Sequence, residues 1–303
     1  MAPREGATGL EGLVTESRRE DVDYSVRSTR ELVELMNRED ASVPAAVGSV
    51  AGELAHTIDA IAARLRAGGR LVYVGAGSSG AIAALDAQEC EATFSTEPGQ
   101  VVALVAGAGS SSAEEREAAE DDAVAGADAA ERLGIGADDV VVGISASGRT
   151  PYVLAAVERA RAAGALTVAL VATRGSALAA AADHELATVV GPEVLAGSTR
   201  LKAGTAQKLV VNTISTVAMM RLGKTYGDLM VDLRASNDKL EARARRIVRE
   251  AAGVSDDEAR EALEAAGGSA KVAVVALIAE LDPDAARSRL EQAGGSIEAA
   301  LQP

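Results

Sequence analysis

Residues 71–80 have the sequence LVYVGAGSSG, in which a short apolar run passes directly into a turn of glycine and serine. Residues 140–150, VVVGISASGRT, repeat this arrangement. An unbroken apolar run of this length is typical of a strand buried in a parallel sheet. Because open α/β sheets bind ligands beyond the carboxyl ends of their strands, the two stretches predict two strand ends that face one ligand.

The two turns also have the chemistry of a phosphate site. Glycine lets the backbone approach an anion closely, and the amides that start the next helix point at it with the positive end of the helix dipole. Five hydroxyl groups add uncharged donors: Ser78, Ser79, Ser145, Ser147 and Thr150. The alternative is a pair of ordinary strand-to-helix turns in which serine only caps the helix. Two such turns in one chain favour a phosphorylated ligand.

The first turn also matches the dinucleotide pattern G-x-G-x-x-G, through Gly75, Gly77 and Gly80. A dinucleotide site needs an acidic residue at the end of the second strand to bind the ribose hydroxyl. Here the second strand runs into residues 106–110, AGAGS, which contain no carboxylate. The sequence therefore argues against nicotinamide or flavin binding.

Composition limits the classes of partner. The chain has 303 residues, of which 48% are hydrophobic and only 2% aromatic, so the core must be built from alanine, valine and leucine. A formal net charge of −15 argues against binding to nucleic acid or to an anionic membrane, since both need a basic surface. An anionic substrate must then be held by local donors.

Cys90 is the only cysteine, which excludes an intramolecular disulfide, and the two histidines, His56 and His184, form no metal-ligand spacing. We expect both histidines to be structural, and we expect no metal. The N-terminus has no signal-peptide core, and no window reaches the ~20 apolar residues that a membrane helix needs. These features predict a soluble, cytoplasmic protein.

The rest of the chain alternates strand and helix patterns, which is typical of a parallel sheet with right-handed crossovers. The predicted strands lie near residues 70–75, 100–105, 138–144, 166–172 and 185–190. The predicted helices cover about 28–37, 44–66, 111–133, 151–163 and 202–222. Residues Ser28–Glu31 form a capping box at the start of the first helix.

From about Asn237 the sequence changes to charged helices with clear caps. Ser255–Glu258 is a capping box, and Asp282 stands before a proline suited to the first helical position. We therefore predict two domains: residues 1–236, and a helical module over residues 237–303 whose role is oligomerisation or stability.

Three stretches resemble one family of enzymes. Residues 190–208, VGPEVLAGSTRLKAGTAQK, are similar to the signature of the N-acetylmuramic acid 6-phosphate etherases, which carry a sugar isomerase (SIS) domain; Ser147–Val153 and Leu229–Asp232 match the same family. The resemblance covers the chain from about Leu13. It implies an α/β fold with a five-stranded parallel sheet flanked by helices, N-terminal helices, and a small C-terminal bundle of the ubiquitin-associated type.

The resemblance also implies a reaction. Enzymes of this family cleave the D-lactyl ether of N-acetylmuramic acid 6-phosphate, without a cofactor, to give N-acetylglucosamine 6-phosphate and D-lactate in cell-wall amino sugar recycling. The family's two catalytic glutamates fall on Glu89 and Glu120. The phosphate positions of SIS domains fall on Ser79, Ser145, Ser147 and Thr150. Our preferred assignment makes Glu89 the base at C2 and Glu120 the acid for the leaving group, although the sequence leaves the reverse open.

Other interpretations remain for these residues. Glu120 stands in the acidic run 114–122 and, without the resemblance, would be interpreted as part of a solvated helix face. The lactyl carboxylate needs a cation, and four residues near the motifs are candidates: Arg149, Arg200, Lys202 and Lys208. Each of them could instead form an ordinary surface or structural ion pair.

Three positions depart from the pattern usual in the family. Ala81 stands where an arginine usually follows the first turn, which removes one potential anion contact. Glu91 and Ala92 stand beside Glu89 where two prolines are usual. Ser145 replaces the usual alanine and restores the two serines flanking one residue that are typical of SIS domains.

Two other function classes are weighed against the etherase. One is a regulator that binds sugar phosphates without turnover, similar to the glucokinase regulatory protein. The other is an SIS isomerase of sugar phosphates, which would also use a glutamate base. Retention of both glutamates favours the etherase. Because SIS domains commonly complete their sites between subunits, we expect a homodimer.

Overall fold

The computed structural model describes residues 13–19, 23–232 and 238–302, and these form an α/β fold around a five-stranded sheet of order β2-β1-β3-β4-β5. The strands are β1 (Leu71–Gly75), β2 (Val101–Val105), β3 (Val140–Ile144), β4 (Leu166–Val171) and β5 (His184–Ala187). The β1–β3, β3–β4 and β4–β5 pairs are parallel, with Gly75 level with Ile144. The predicted fold class is confirmed, and the two glycine and hydroxyl turns leave neighbouring strands at the same edge.

The helices separate the strands as the alternation predicted. They are α1 (Thr29–Asp40), α2 (Val43–Gly48), α3 (Ala51–Arg66), α4 (Gly77–Phe94), α5 (Ala113–Glu120), α6 (Ala123–Arg132), α7 (Pro151–Ala162), α8 (Ala177–Ala181), α9 (Lys202–Arg221), α10 (Asp238–Ala252), α11 (Asp256–Ala265), α12 (Ala270–Ile278), α13 (Pro283–Gln292) and α14 (Ile297–Ala300). The capping boxes predicted at Ser28 and Ser255 are both present.

Two helices predicted as continuous are each divided. The predicted helix 44–66 is interrupted between α2 and α3, at Ser49 and Val50. The predicted helix 111–133 ends at Glu120 and restarts as α6, because the Asp122 side chain accepts a hydrogen bond from Ala125 N at 2.9 Å and caps the new helix. Short aspartate side chains favour such caps over helix interiors. The break places Glu120 at the carboxyl end of α5.

Contacts divide the chain into two units. The first contains Met1–Asp86 and Val102–Ile214, and the second contains Ala87–Val101 and Ser215–Pro303. The domain boundary predicted between residues 236 and 237 lies outside the described residues and stays a prediction.

The first unit has a core of small aliphatic side chains, as the composition predicted. The β1 and β3 strands are buried along their whole length. Helices α6 and α7 approach closely at Gly126, where a Cβ would lie 2.1 Å from the Tyr152 carbonyl oxygen. A polar contact also fixes α4 on the sheet: buried Asp86 accepts hydrogen bonds from Tyr73 Oη at 2.9 Å and from Asn212 Nδ2 at 2.7 Å.

The two histidines lie together in this unit. Their rings stack with centroids 5.2 Å apart, and His184 Nδ1 lies 2.9 Å from Thr57 Oγ1. Burial and, to a smaller extent, the neighbouring His56 lower the pKa of His184. His184 is the first residue of β5, whereas the predicted strand began one residue later, at 185. The pair is consistent with the structural role expected of both residues.

The second unit is held by an apolar core from α10 to α14 and by a partly buried carboxylate, Asp232, that pairs with two lysines. Lys271, on α12, lies 3.1 Å from Asp232, which also pairs with Lys224 at 2.8 Å. Burial is the largest influence on Lys271 and lowers its pKa despite this carboxylate. Asp232 therefore links the LMVD motif to the C-terminal helices. In the described part of the chain, no helix is both long enough and apolar enough to cross a membrane.

Candidate active site

A cleft of about 440 Å³ lies beyond the carboxyl ends of β1 and β3. It is lined by Glu16, Ala76, Gly77, Ser78, Ser79, Glu120, Ile144, Ser145, Ala146, Ser147, Thr150, Gly197, Ser198, Thr199 and Arg200, all in the first unit. A volume of this size suits a small ligand. The cleft brings together both predicted turns, one of the two predicted glutamates and one of the four predicted cations.

The turn after β3 is organised by one buried hydroxyl group. Ser145 Oγ lies 2.9 Å from Thr150 Oγ1 and 3.3 Å from Ser147 Oγ, and it accepts a hydrogen bond from Gly148 N at 3.0 Å. Gly148 has φ +63°, and a Cβ there would lie 2.2 Å from Ser176 Oγ, so only glycine fits. The turn therefore holds three hydroxyl groups at one end of the cleft before any ligand binds.

Helix starts add positive potential to the same place. Helix α4 begins at the cleft residue Gly77, and α7 begins directly after the cleft residue Thr150, whose side chain does not cap it. The start of α9 differs, because buried Glu193 accepts hydrogen bonds from Lys202 N at 3.1 Å and Ala203 N at 2.9 Å. Since a carboxylate already satisfies α9, the N-termini of α4 and α7 are the ones that suit an anion, although Pro151 supplies no N–H at the first position of α7.

Ser79 is supported from behind by a buried amide. Ser79 Oγ lies 2.9 Å from Gln207 Oε1, and Gln207 is only 2% exposed. Among the residues that the structure describes, Gln207 Nε2 has no hydrogen-bond partner. A half-turn of this amide would let Nε2 donate to Ser79 Oγ, which would free the Ser79 hydroxyl hydrogen for a ligand.

Glu120 reaches the first turn through a gap left by glycine. A Cβ on Gly77 would lie 2.8 Å from Glu120 Oε1, and Gly77 has φ +51°. Burial, followed by the charges of Asp121 and Glu117, raises the pKa of Glu120. A carboxyl group with a raised pKa can both hold a proton for donation and act as a stronger base than an exposed glutamate.

The predicted cations have different surroundings. Arg149, Arg200 and Lys208 are all exposed, and of these three only Arg200 lines the cleft. Lys202 is buried, and its Nζ pairs with Glu39 Oε2 at 2.9 Å. Glu89 is an exposed residue of α4 in the second unit. The catalytic role of Glu89 and the carboxylate-binding roles of these cations stay predictions.

Sequence reasoning did not single out Glu16, Glu193 or Gln207. It quoted Gly77 but did not predict that Glu120 lies against it. Glu193 and Gln207 lie inside the signature 190–208, so the sequence contained their positions but not their partners. Glu16 lies far from every quoted motif. No local pattern indicates that it lines the cleft.

Comparison with known proteins identifies the family. A protein of Rubrobacter xylanophilus named N-acetylmuramic acid 6-phosphate etherase is 58% identical over 272 residues, which cover 89% of this chain and 90% of that protein. A protein of the same name from Streptomyces coelicolor is 53% identical over 274 residues, or 90% of this chain and 88% of that protein. The chain belongs to the N-acetylmuramic acid 6-phosphate etherase family.

Two domain models agree with this etherase family membership. The glucokinase regulatory protein N-terminal SIS domain matches residues 53–161, and the SIS domain matches residues 121–216. A phosphoheptose isomerase of Francisella tularensis has a TM-score of 0.50 and 20% identity, over 64% of this chain and all of that one (100%), which shows a shared fold. The resemblance stated from the sequence is confirmed for the family.

The raised pKa of Glu120 predicts a pH-dependent effect on stability. The folded protein binds the Glu120 proton more tightly than the unfolded chain does, so folding stability is lost as the pH rises through the folded-state pKa. Glu120→Gln has no such loss. In urea unfolding, we expect the variant to be more stable than the parent at about pH 8 and equal to it at about pH 3, below the ordinary pKa of a glutamate.

Glu91→Gln, at an exposed position of α4, is the matched control and should give no pH-dependent gain. A Glu120→Gln difference that stays constant between the two pH values would contradict the raised pKa.

Proposed function

We propose that this protein cleaves the D-lactyl ether of N-acetylmuramic acid 6-phosphate to give N-acetylglucosamine 6-phosphate and D-lactate, in the recycling of cell-wall amino sugars. The observation that carries the proposal is the placement of a glutamate of raised pKa in one cleft with two hydroxyl-lined strand ends. Relatives at 53–58% identity that bear the etherase name support it. A phosphorylated substrate and a single cysteine favour a cytoplasmic location.

The 6-phosphoryl group would bind at the two turns. Ser147, Thr150 and Ser79 supply hydroxyl donors, the first amides of α4 supply N–H donors, and α4 and α7 supply the positive ends of two helix dipoles. Ser145 holds this arrangement in place. These donors carry no formal charge, which suits a chain of net charge −15 that must bind an anion.

The reaction needs one base and one acid. In the open-chain sugar, the aldehyde acidifies the C2 proton, so a carboxylate can remove it while an acid protonates the ether oxygen at C3. The C3–O bond then breaks to release D-lactate and an unsaturated aldehyde. Water adds at C3 and a proton returns to C2, with the two groups in exchanged roles. We assign these roles to Glu89 and Glu120, and the raised pKa of Glu120 suits either one.

Arg200 is the proposed partner of the lactyl carboxylate. It is the predicted cation that lines the cleft, and within residues 13–19, 23–232 and 238–302 its guanidinium forms no ion pair. Lys202, by contrast, is already neutralised by Glu39. No cofactor is needed, because proton transfers alone account for each bond made or broken.

A homodimer completes the proposal. Its support is the membership of an SIS-domain family, since SIS domains commonly complete their sites between subunits. Light scattering should give twice the chain mass at working concentration. A monomer with full activity would exclude a shared site.

Turnover by glutamate variants tests the reaction. We expect Glu89→Gln and Glu120→Gln each to lower D-lactate release at least about 100-fold, because each removes one general acid–base step. Exchange of the C2 proton of N-acetylglucosamine 6-phosphate in deuterium oxide assigns the roles: the variant that still exchanges has lost the acid.

Glu91→Gln should retain normal turnover. A folded Glu89→Gln or Glu120→Gln protein with near-normal lactate release would remove that residue from the mechanism. Tight binding of N-acetylmuramic acid 6-phosphate without turnover by the parent would favour the regulator instead.

The gap at Gly77 gives a second test. Gly77→Ala should displace the Glu120 carboxylate and lower turnover at least about tenfold, since small displacements of reacting groups are costly. Its loss of folding stability should match that of Gly175→Ala, where φ is +62° and a Cβ would meet nothing within 4 Å. Equal turnover in the two variants would show that the position of Glu120 does not matter.

A further inference from the structure

A second carboxylate enters the cleft from the N-terminal segment. Glu16 ends a 3-10 helix over Val14–Glu16 and is one of the lining residues. The segment is fastened to the loop that carries Arg200: Gly197 N donates a hydrogen bond to Thr15 O at 2.9 Å, and Tyr24 Oη donates one to Val194 O at 2.5 Å. The position of Glu16 in the cleft is therefore built by contacts on both sides.

The Glu16 side chain lies in a space prepared for it. A Cβ on Gly197 would lie 2.7 Å from Glu16 Oε2, and the φ of Gly197 is +78°, so glycine both makes the turn and leaves room for the carboxylate. Glu16 is half-buried, and within the described ranges 13–19, 23–232 and 238–302 its carboxylate has neither a hydrogen bond nor an ion pair. A partly desolvated carboxylate of this kind suits a ligand that supplies a donor.

The negative charge of Glu16 decides which part of the substrate can bind to it. A carboxylate only accepts hydrogen bonds. The phosphate and the lactyl carboxylate are anionic acceptors at neutral pH, so Glu16 repels both of them. The sugar hydroxyls and the acetamido N–H are donors, and a hydrogen bond to an ionised acceptor is stronger than one between neutral groups.

We propose that Glu16 accepts a hydrogen bond from a hydroxyl or the acetamido N–H of the sugar and so sets which way the hexose lies in the cleft. This rests on the proposed function. With the phosphate at the serine turns and the lactyl group at Arg200, repulsion by Glu16 keeps both anionic groups away from its carboxylate and leaves this position to a neutral donor of the sugar. Glu16 is then a binding residue that determines specificity, distinct from the acid–base pair.

Binding and turnover of Glu16→Ala test the proposal. We expect the KM for N-acetylmuramic acid 6-phosphate and the dissociation constant of N-acetylglucosamine 6-phosphate, measured by calorimetry, to rise about tenfold or more. The dissociation constant of inorganic phosphate should stay unchanged or fall, because phosphate gains nothing from Glu16. Glu16→Gln keeps an acceptor oxygen, so its dissociation constant for N-acetylglucosamine 6-phosphate should lie between those of the parent and of Glu16→Ala.

The control is Ser17→Ala, which removes only a long hydrogen bond of 3.4 Å from Ser17 Oγ to Leu13 O within the segment, keeps Glu16 and should behave like the parent. Binding of 2-deoxyglucose 6-phosphate separates the two donors: a preserved effect of Glu16→Ala indicates a ring hydroxyl, and a lost effect indicates the acetamido group.

A Glu16→Ala protein that binds the sugar phosphate within about twofold of the parent would overturn the proposal. So would a parallel loss of inorganic phosphate binding, since that indicates a purely structural segment. Because calorimetry with the product needs no turnover, these outcomes stand apart from a failure of the etherase reaction itself.

Discussion

The site depends on a steric constraint: the Glu120 carboxylate lies where a side chain on residue 77 would be. Gly77 belongs to the turn after β1, and Glu120 ends α5, so this contact joins an acid–base group to a strand end that can bind an anion. The contact requires α5 to stop at residue 120, and the Asp122 cap that starts α6 provides that stop. Among the described residues, the Glu120 carboxylate forms no hydrogen bond, so backbone conformation sets its position.

A second constraint is electrostatic. The chain is strongly acidic, and it offers an anion hydroxyl groups and helix amides rather than a cluster of cations. Glu193 is important here because its carboxylate satisfies the start of α9 and leaves α4 and α7 as the helix ends that suit a phosphate. Two carboxylates and Arg200 line the same cleft without ion pairs among the described residues. Arg200 therefore suits an anionic group of a ligand, and the two carboxylates suit its hydrogen-bond donors.

The sequence predicted the strands and the two turns because buried parallel strands have unbroken apolar runs and glycine turns have few alternatives. It missed the break at Asp121 and Asp122, since an acidic run fits a helix face as well as a cap. Local sequence patterns could not predict contacts between residues that are distant in the sequence. No sequence pattern near Glu16 indicates that its side chain lies against Gly197. Lys202 was predicted to bind the substrate, but in the structure it pairs with Glu39.

The most direct test is a crystal structure of the protein with N-acetylglucosamine 6-phosphate. We expect phosphate oxygens within hydrogen-bond distance of the Ser147 and Thr150 hydroxyls, with C2 and C3 of the sugar facing the Glu120 carboxylate. The proposed arrangement would be contradicted by phosphate bound instead in the cavity of Arg18, Arg19 and Lys202, or by a sugar whose C2–C3 bond faces away from Glu120.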